Sequence, residues 1–281
     1  MSSSLKGKGA IVTGGARGIG YSIAEELITN GAKVVICSRT KTELQKALLK
    51  LNEKKNSAFG ITCDVSKFND CKKLIKFAQK KIKKINILVN NAGIYGPIGL
   101  LEKTDLDFWR ETMEINIMGM VYLSNLVITI MKKKGGKIIN LCGAGVGGYA
   151  KPRISAYFTS KIAVAGFTEI LAEEVRDYNI QVNSISPGAV NTYLHEYLLK
   201  QGPEKAGREF YEESLRQKKM GGTPPKLAAK LVVFLSSGES NHISGRLLSA
   251  KWDSPEKLKD KGLNRNLFKL RRIDGQLYYE K

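Results

Sequence analysis

Short runs of consecutive apolar residues alternate along this chain with longer segments in which apolar residues recur every three or four positions. The short runs predict strands, and the longer segments predict helices. This pattern predicts strands at residues 8–13, 33–37, 58–63, 85–89, 136–141, 180–185 and 245–250. Because most of these strands are apolar on both faces, they indicate an α/β fold with one doubly wound parallel sheet between two layers of helices.

A glycine-rich turn follows the first predicted strand and leads into a helix predicted at residues 21–29. It reads Thr13-Gly14-Gly15-Ala16-Arg17-Gly18-Ile19-Gly20. Glycines let the backbone bend tightly, and they let a pyrophosphate reach the free amides at the start of a helix. The spacing TGxxxGxG differs from the commoner GxGxxG fingerprint, so a glycine turn without a ligand is the alternative.

The end of the second strand bears on the choice of cofactor. Ser38 and Arg39 stand where an acidic residue would accept hydrogen bonds from the 2′-hydroxyl of an adenosine ribose. A guanidinium suits a 2′-phosphate instead, and Arg17 in the glycine turn adds a second positive charge. We therefore expect NADP(H) to be favoured over NAD(H). Just beyond, Thr40 and Glu43 predict a capping box for the next helix.

Polar or glycine-bearing segments also follow the later strands. They are Asp64-Val65, Asn90-Asn91-Ala92-Gly93, Cys142-Gly143-Ala144-Gly145 and the stretch from Ser186 to Thr192. Ligands of open parallel sheets bind at the carboxyl ends of the strands, so these segments predict one shared site. The charged, tyrosine-rich residues 193–220 come next and are predicted to form a substrate lid.

Tyr157 and Lys161 are the candidate catalytic pair. They lie four positions apart in an apolar-periodic run over residues 155–178, so a helix would place them on one face. A cation near a phenol favours the phenolate, and we expect the pKa of Tyr157 to fall below its usual value near 10. Such a tyrosine can act as a general acid or base. The alternative is a half-buried tyrosine beside a solvated lysine.

Asn116, within a helix predicted up to Met131, is either functional or solvent-facing.

Composition limits the class of protein. The chain has 281 residues, 42% of them hydrophobic, which suffices for one large α/β domain. No apolar run approaches the roughly 18 residues of a membrane span, and the polar start leads directly into a strand, so we expect no membrane association and no export. The four cysteines lack CxxC or metal-ligand spacing. They indicate buried thiols, no metal site and a cytoplasmic location.

The formal net charge of +20 could attract nucleic acid, anionic membrane or an acidic substrate. The lysines are spread over predicted helices, and no nucleic-acid-binding motif accompanies them. We do not expect nucleic-acid binding as the main function, and an anionic small-molecule substrate fits the charge better.

Together these motifs resemble the short-chain dehydrogenase/reductase family over about residues 6–250. The matching elements are the Thr13–Gly20 turn, Asp64-Val65, Asn90 to Gly93, Asn116, Tyr157-x-x-x-Lys161, Asn183, Pro187-Gly188 and Thr192. The resemblance implies a Rossmann fold that binds NAD(P)(H), a homodimer or homotetramer, and an enzyme that interconverts a ketone and a secondary alcohol.

The resemblance also implies residue roles. Asp64 would lie near the adenine, Asn91 along the cofactor and Thr192 near the carboxamide. Lys161 would contact the nicotinamide ribose, Tyr157 would exchange a proton with the carbonyl oxygen, and Asn116 would hold a water behind Lys161. The full set of predicted cofactor contacts is Gly14, Arg17, Gly18, Ile19, Gly20, Ser38, Arg39, Asp64, Val65, Asn91, Ala92, Gly93, Tyr157, Lys161, Pro187, Gly188, Val190 and Thr192.

The catalytic serine of that family is missing. Its position falls on Ala144 when counted back from the tyrosine and on Gly143 when counted from Asn140. Cys142 is the nearest substitute but a weak donor, and Ser155 is close to Tyr157 in sequence. Loss of such a donor can lower the rate by about 10²- to 10³-fold. Three hypotheses follow: another donor from the lid or substrate, a slower or different reaction, or cofactor binding without turnover.

The substrate is expected to contact Cys142, Gly143, Ala144 and Tyr193. The positive charge and the glycine-rich loop at residues 143–148 favour an anionic or sugar-linked carbonyl compound. One alternative is an enzyme resembling 3-oxoacyl-[acyl-carrier-protein] reductases, and another is a non-catalytic NADP(H)-binding regulator. His195, on the lid, and His242, in a turn before the last strand, are assigned no catalytic role.

The predicted domain organisation is a catalytic domain at residues 1–250 and a basic C-terminal extension at residues 251–281. The extension contains apolar residues from Trp252 to Tyr279. We expect it to pack on its own or a neighbouring subunit near the mouth of the substrate site.

Overall fold

A computed structural model describes residues 4–53, 56–143 and 150–259. Its centre is one sheet in which all neighbouring strands are parallel, with the order β3-β2-β1-β4-β5-β6-β7. The strands are β1 (Gly9–Thr13), β2 (Lys33–Ser38), β3 (Ala58–Thr62), β4 (Ile87–Asn90), β5 (Gly136–Leu141), β6 (Ile180–Ser186) and β7 (Leu247–Ser249). The predicted doubly wound α/β fold is confirmed, and the strand ends agree with the sequence pattern to within two residues.

The helices lie on both faces of this sheet. In chain order they are α1 (Gly18–Thr29), α2 (Lys41–Asn52), α3 (Phe68–Ile82), α4 (Leu106–Met113), α5 (Gly119–Met131), α6 (Ser155–Glu174), α7 (Tyr193–Ala206), α8 (Arg208–Met220), α9 (Pro225–Ser236) and α10 (Pro255–Leu258). Helices α1, α2 and α9 bury one apolar cluster against the sheet, and α3, α5 and α6 bury a second on the opposite face. Both faces of the strands are therefore apolar, as the continuous hydrophobic runs predicted.

The strand order reverses direction between β1 and β4, where the chain leaves one half of the sheet and begins the other. At such a switch point, the loops after neighbouring strands run to opposite faces and open a crevice. The glycine turn after β1 and the Asn90–Gly93 segment after β4 therefore meet at one edge.

The stretch from α4 to α5 departs from the sequence-based expectation about membranes. By length and composition alone, Leu106–Met131 is a helix that could cross a membrane. In the fold, however, Leu123, Val127 and Met131 of α5 are buried in the cluster beneath the sheet. Core helices pass the same test of length and composition, so this stretch is weak evidence for a membrane span.

The segment predicted as a lid forms α7 and α8. The chain is kinked within α7 at Gly202, whose φ of +75° breaks the helix just before Pro203. The imidazole of His195 lies 3.0 Å from the carbonyl oxygen of Ser214 and joins the two helices. His195 is thus a structural residue of the lid, and His242 similarly contacts the Leu258 carbonyl at 3.0 Å.

The described part of the C-terminal extension folds back onto the domain. The Asp253 carboxylate accepts a 2.7 Å hydrogen bond from the Ser249 amide, and Lys259 pairs with Glu239 at 2.9 Å. Trp252 is 67% exposed, so its indole does not pack as expected on this subunit. The remaining apolar residues of the extension, at positions 263–279, lie outside the described residues.

Candidate active site

A groove of about 720 Å³ runs along the carboxyl edge of the sheet. The glycine turn and the loops after β2, β3, β4 and β6 contribute its walls. Among the predicted cofactor contacts, the groove is lined by Gly14, Arg17, Gly18, Ile19, Gly20, Ser38, Arg39, Asp64, Val65, Asn91, Ala92, Gly93 and Thr192. The structure therefore brings together residues that lie far apart in the sequence, from Gly14 to Thr192.

The glycine turn has the geometry of an anion cradle. Gly14 and Gly18 have φ values of +61° and +55°, which side-chain-bearing residues rarely adopt. The residue before α1, Arg17, makes no side-chain cap, so the first amides of that helix lack a side-chain partner. Because a helix N-terminus with free amides attracts negative charge, these residues fit the pyrophosphate of a dinucleotide.

Asn91 fixes the loop after β4 to this turn. Its side-chain amide donates to the carbonyl oxygens of Thr13 at 2.8 Å and Gly14 at 3.2 Å. In return, the Thr13 hydroxyl accepts hydrogen bonds from the amides of Asn91 and Ala92, both at 2.9 Å. These hydrogen bonds join the loops after β1 and β4 at the switch point. Asn91 therefore lines the groove and also fixes the relative position of the two loops that form it.

Two arginines stand at the groove end beside β2. The Arg17 guanidinium pairs with Glu43 at 2.7 Å and lies 3.9 Å from the centroid of the Tyr193 ring. Arg39 approaches Glu111 at 3.6 Å. The predicted capping box is therefore wrong, because Glu43 pairs with the Arg17 guanidinium and the Thr40 amide donates to the Ser38 hydroxyl instead.

The hydroxyl of Ser38 accepts a 3.3 Å hydrogen bond from the amide of Thr40. The Thr40 side chain makes no capping bond to α2. Asp64, at the neighbouring strand end, accepts bonds from both the amide and the hydroxyl of Ser66 at 3.1 and 2.7 Å. Its carboxylate is held beside the groove by its own loop.

Three thiols form a cluster below the same groove end. Cys37, Cys63 and Cys71 are nearly inaccessible to solvent, and Cys37 and Cys63 contribute to the groove wall. The Cys71 thiol donates a 3.3 Å hydrogen bond to the Val65 carbonyl oxygen. Interaction with Cys63, followed by burial, raises the pKa values of Cys37 and Cys71, whereas interaction with these two thiols lowers the pKa of Cys63. The sequence predicted buried thiols but did not predict that they touch. Across residues 4–53, 56–143 and 150–259, no group of three or more His, Cys, Asp or Glu side chains could hold a metal ion.

The predicted catalytic residues converge beside Gly93. A methyl group at this glycine would lie 3.2 Å from the Asn116 side-chain oxygen and 3.6 Å from the Lys161 ammonium. That ammonium donates a 2.8 Å hydrogen bond to the Leu141 carbonyl oxygen and lies 5.6 Å from the centroid of the Tyr157 ring. Helix α6 thus brings Tyr157 and Lys161 to one end of the groove, as the four-residue spacing predicted.

The electrostatics of this pair differ from the sequence-based expectation. Burial raises the pKa of Tyr157 well above its ordinary value, with smaller contributions from Tyr95 and Cys142. Burial also lowers the pKa of Lys161. Desolvation is the largest influence on the pKa of each group, so the expected depression of the Tyr157 pKa is not found.

Asn116 is buried within a π-helical turn, Glu114–Met118, that interrupts the predicted long helix between α4 and α5. Its side chain accepts a bond from the Ile94 amide and donates to the Ile94 carbonyl oxygen, both at 2.9 Å. It also donates to the Ser160 hydroxyl at 2.9 Å. The solvent-facing alternative is therefore excluded, and such π turns are frequent at functional sites.

A small cavity of about 10 Å³ lies behind this cluster, and Asn90, Asn116 and Lys161 contribute to its wall. Its size is close to the minimum that holds one water molecule, about 10–15 Å³. The side-chain oxygen of Asn90 is buried and has no hydrogen-bond partner within the part of the chain that the structure describes. The cavity therefore combines room and polar groups for one water beside the lysine.

The position of the missing serine contains no hydroxyl. A methyl group at Gly143 would lie 3.1 Å from the Tyr157 hydroxyl and 2.8 Å from the Lys161 side chain, so the backbone itself packs on the tyrosine. The Cys142 thiol donates to the Lys161 carbonyl at 3.2 Å and is buried, so it does not substitute for the serine. The second predicted position, Ala144, lies outside the described residues.

An aromatic cluster adjoins Tyr157 beneath the lid. The rings of Tyr95 and Tyr157 have centroids 4.5 Å apart, and Ile98, Ile154 and Leu198 complete the buried part of the cluster. Tyr95 lines the groove, whereas Tyr157 is not part of its wall. Tyr95 was not predicted from the sequence, although it lies two residues after the Asn90–Gly93 segment at the carboxyl end of β4.

Other predicted residues fall outside the groove wall. Pro187 and Val190 are buried in the loop after β6, and Gly188 packs against Thr223. This loop presents Asn191 and Thr192 to the groove instead, and Tyr193 joins them from the start of α7. Asn183, deeper in β6, bonds to the Ile243 carbonyl at 2.8 Å and has a structural role.

The family model for short chain dehydrogenases matches residues 8–202. The chain belongs to the short-chain dehydrogenase/reductase family and is accordingly an oxidoreductase that binds NAD(P)(H). Among curated relatives, dehydrogenase/reductase SDR family member 4 of Mus musculus is 32% identical over 254 residues, covering 90% of this chain and 89% of the relative. The protein of that name from Caenorhabditis elegans is 34% identical, covering 87% and 94% of the two chains.

Solved structures with the same fold include one from Sinorhizobium meliloti 1021 described as a short-chain alcohol dehydrogenase. It has 29% sequence identity and a TM-score of 0.77, and the match covers 89% of this chain and 97% of that one. A second is a 7α-hydroxysteroid dehydrogenase complexed with NADH and 7-oxo glycochenodeoxycholic acid. It has 28% identity and a TM-score of 0.74, and the match covers 88% and 94% of the two chains.

Proposed function

We propose that this protein is an NADP(H)-dependent oxidoreductase that interconverts a ketone and a secondary alcohol, with Tyr157 as the proton donor and acceptor. The observation that carries the proposal is the convergence of Tyr157, Lys161 and Asn116 beside Gly93, at one end of a groove with a phosphate cradle. The bound dinucleotide supplies or accepts the hydride. Side chains of this protein donate and accept the proton.

In the direction of reduction, the Tyr157 hydroxyl gives its proton to the carbonyl oxygen, which becomes the alcohol. The high pKa of the buried phenol keeps that proton in place until charge develops on the oxygen. The phenolate that remains lies near the Lys161 ammonium, and the cavity beside Asn116 and Lys161 has room for one water that can return a proton to it. Oxidation of an alcohol runs the same steps in reverse.

The preference for NADP(H) is supported by charge at the groove end beside β2. Arg17 and Arg39 line that end, and β2 finishes with Ser38 and contributes no carboxylate there. A 2′-phosphate would compete with Glu43 and Glu111 for the two guanidinium groups, and a doubly charged phosphate is the stronger acceptor.

The walls around Tyr157 favour a bulky apolar carbonyl compound. Tyr95, Ile98, Ile154 and Leu198 surround the phenol, and aromatic residues of α7 and α8 pack on them. The related hydroxysteroid dehydrogenase holds an oxo-steroid acid, which combines an apolar ring system with a remote anion. Such a molecule fits both the apolar walls and the net charge of +20, so we propose this class over a sugar-linked substrate.

A homo-oligomer is supported by the outer surface of α6. Ile162 and Ile170 are 43% and 63% exposed there, and a methyl group at Gly166 would meet no atom within 4 Å. An apolar stripe of this kind, left open on one chain, is typical of a surface that a second copy covers.

Oxidation of NADPH and NADH in the presence of a ketone panel tests the function directly. The panel should contain oxo-steroid acids, simple ketones, keto-sugars and 3-oxoacyl thioesters, with Tyr157→Phe as the control. We expect turnover that prefers NADPH and falls by about 10²- to 10⁴-fold in the variant.

The second candidate is the non-catalytic NADP(H)-binding regulator. Gly143 favours it, because this position provides no hydroxyl and no room for one. Tight NADPH binding by wild type, with no turnover of any carbonyl in the panel, would support this candidate against the proposed enzyme.

A further inference from the structure

The hydrogen-bond donor that this family site normally takes from a serine has no source at Gly143. A carbonyl oxygen that receives a proton from Tyr157 has two lone pairs, and a second donor stabilises the charge that develops on it. Among the described residues, the candidates for this role are the hydroxyls and thiols that lie close to Tyr157.

Three of these groups are already engaged. The Cys142 thiol donates to the Lys161 carbonyl, as described above. The Ser160 hydroxyl donates to the Tyr157 carbonyl at 2.7 Å and accepts from Asn116. The Ser155 hydroxyl accepts a 3.2 Å bond from the Trp109 indole, which holds it toward α4.

Tyr95 differs from all three. Its ring packs on the Tyr157 ring with centroids 4.5 Å apart and planes inclined by 47°, and it lines the groove. Its hydroxyl has no hydrogen-bond partner within the parts of the chain that the structure describes. Tyr95 therefore presents a free phenol to the groove directly beside the proton donor.

The protonation state of Tyr95 suits a donor that does not itself lose its proton. Burial raises its pKa to about 12, so the phenol stays neutral at physiological pH. Tyr157, although its pKa is also raised, has the Lys161 ammonium on its other side to stabilise a phenolate. Two adjacent phenols can thus have different roles because, among the described residues, a cation lies beside the Tyr157 ring and none is found over the Tyr95 ring.

We propose that Tyr95 is a second catalytic hydroxyl, which donates a hydrogen bond to the substrate carbonyl oxygen and supplies the donor that Gly143 lacks. This inference rests on the proposed function.

The test compares Tyr95→Phe with wild type, using the best ketone of the panel and saturating NADPH. Removing the hydroxyl while keeping the ring should lower kcat by about 10²-fold, and the Kd for NADPH and the Tm should be unchanged. Tyr122→Phe is the matched control, because Tyr122 packs on Phe68 on the outer side of α5 at a centroid distance of 5.1 Å. Tyr95→Leu removes the ring as well and reports any role of the ring in packing.

The outcomes distinguish failure of the role of Tyr95 from failure of the proposed oxidoreductase function. A kcat of Tyr95→Phe equal to wild type, alongside loss of activity in Tyr157→Phe, overturns the role of Tyr95 and leaves the proposed function standing. If only Tyr95→Leu changes the kinetics, through KM, Tyr95 is a packing residue and the inference is wrong. Absence of turnover in wild type removes the proposed function and this inference together.

Discussion

The Asn91 side chain lies against the backbone of Gly20, on the first turn of α1. A methyl group at Gly20 would come within 2.4 Å of the Asn91 amide nitrogen and within 2.4 Å of the Gly14 carbonyl oxygen. Both atoms belong to the hydrogen-bonded junction between the loops after β1 and β4. The glycine is required by close packing, since its own φ is not positive.

Gly20→Ala should therefore destabilise the fold and distort the phosphate cradle. Overpacking of this kind costs about 1–3 kcal/mol. For a chain of this size that corresponds to a decrease in Tm of about 3–10 °C, together with weaker NADPH binding. Gly238→Ala is the control, because its φ is not positive and a methyl group there would meet no atom of the described residues within 4 Å, so the free energy of unfolding should change by less than about 0.5 kcal/mol. Equal Tm values for the two variants would contradict the packing argument.

Arg39→Asp should reverse the preference between cofactors. The substitution removes a positive charge at the end of β2 and adds a carboxylate that can accept hydrogen bonds from a ribose 2′-hydroxyl. We expect the ratio of kcat/KM for NADPH to that for NADH to fall by about 10²-fold or more, on the scale of charged hydrogen bonds. Arg110→Asp, an exposed arginine on α4 that pairs with Asp107, serves as the control. An unchanged ratio for Arg39→Asp would refute its role in binding the 2′-phosphate.

Lys137 should make the stability depend on pH in alkaline solution. It is buried in β5, where desolvation, and secondarily Lys8, lowers its pKa from 10.5 to about 8. Its ammonium donates to the Asn241 side chain at 2.8 Å. Between pH 8 and 10.5 the unfolded chain keeps a proton that the folded chain loses, so the free energy of unfolding contributed by this group rises with pH.

The measurement is denaturant unfolding of wild type and Lys137→Met at pH 7 and pH 10. Groups other than Lys137 titrate in both proteins, so their contributions to the free energy of unfolding cancel in the difference between wild type and variant. Wild type should gain about 2 kcal/mol relative to the variant over this interval. A difference that does not vary with pH would mean that Lys137 titrates at its ordinary pKa.

Ile170→Asp should dissociate the proposed oligomer. A carboxylate in the centre of the apolar stripe on α6 would be desolvated in the interface without a partner, whereas in a monomer it would remain in water. Light scattering after size-exclusion chromatography should show a decrease in molar mass relative to wild type. Leu49→Asp, at a 73% exposed apolar position on α2, should leave the mass unchanged. An unaltered mass for Ile170→Asp excludes this face as the interface.

Much of the fold followed from local patterns in the chain. Strands such as β1 and β2 are short, largely apolar and bounded by polar or glycine residues, and these features are independent of what the strands pack against. The glycine turn was recognisable for the same reason, since the positive φ values of Gly14 and Gly18 are a local requirement. The spacing of Tyr157 and Lys161 likewise placed both on one face of α6.

The chemistry of the site depended on contacts that no spacing encodes. The pKa of Tyr157 rises because the lid and Tyr95 desolvate it, and the sequence alone suggested only the nearby cation. Asn116 is held in a π turn by the backbone of Ile94, which lies in a different loop. Glu43 binds Arg17 instead of capping its own helix, because the two meet only after α1 and α2 pack.

The sequence by itself thus determined the strands, the glycine turn and the candidate catalytic pair, because each depends on residues that are neighbours in the chain. Only the tertiary structure decided which groups are desolvated, which arginines are paired and which phenol stands beside Tyr157. Burial and electrostatic interaction depend on distances between segments that lie far apart in sequence, and folding alone sets those distances.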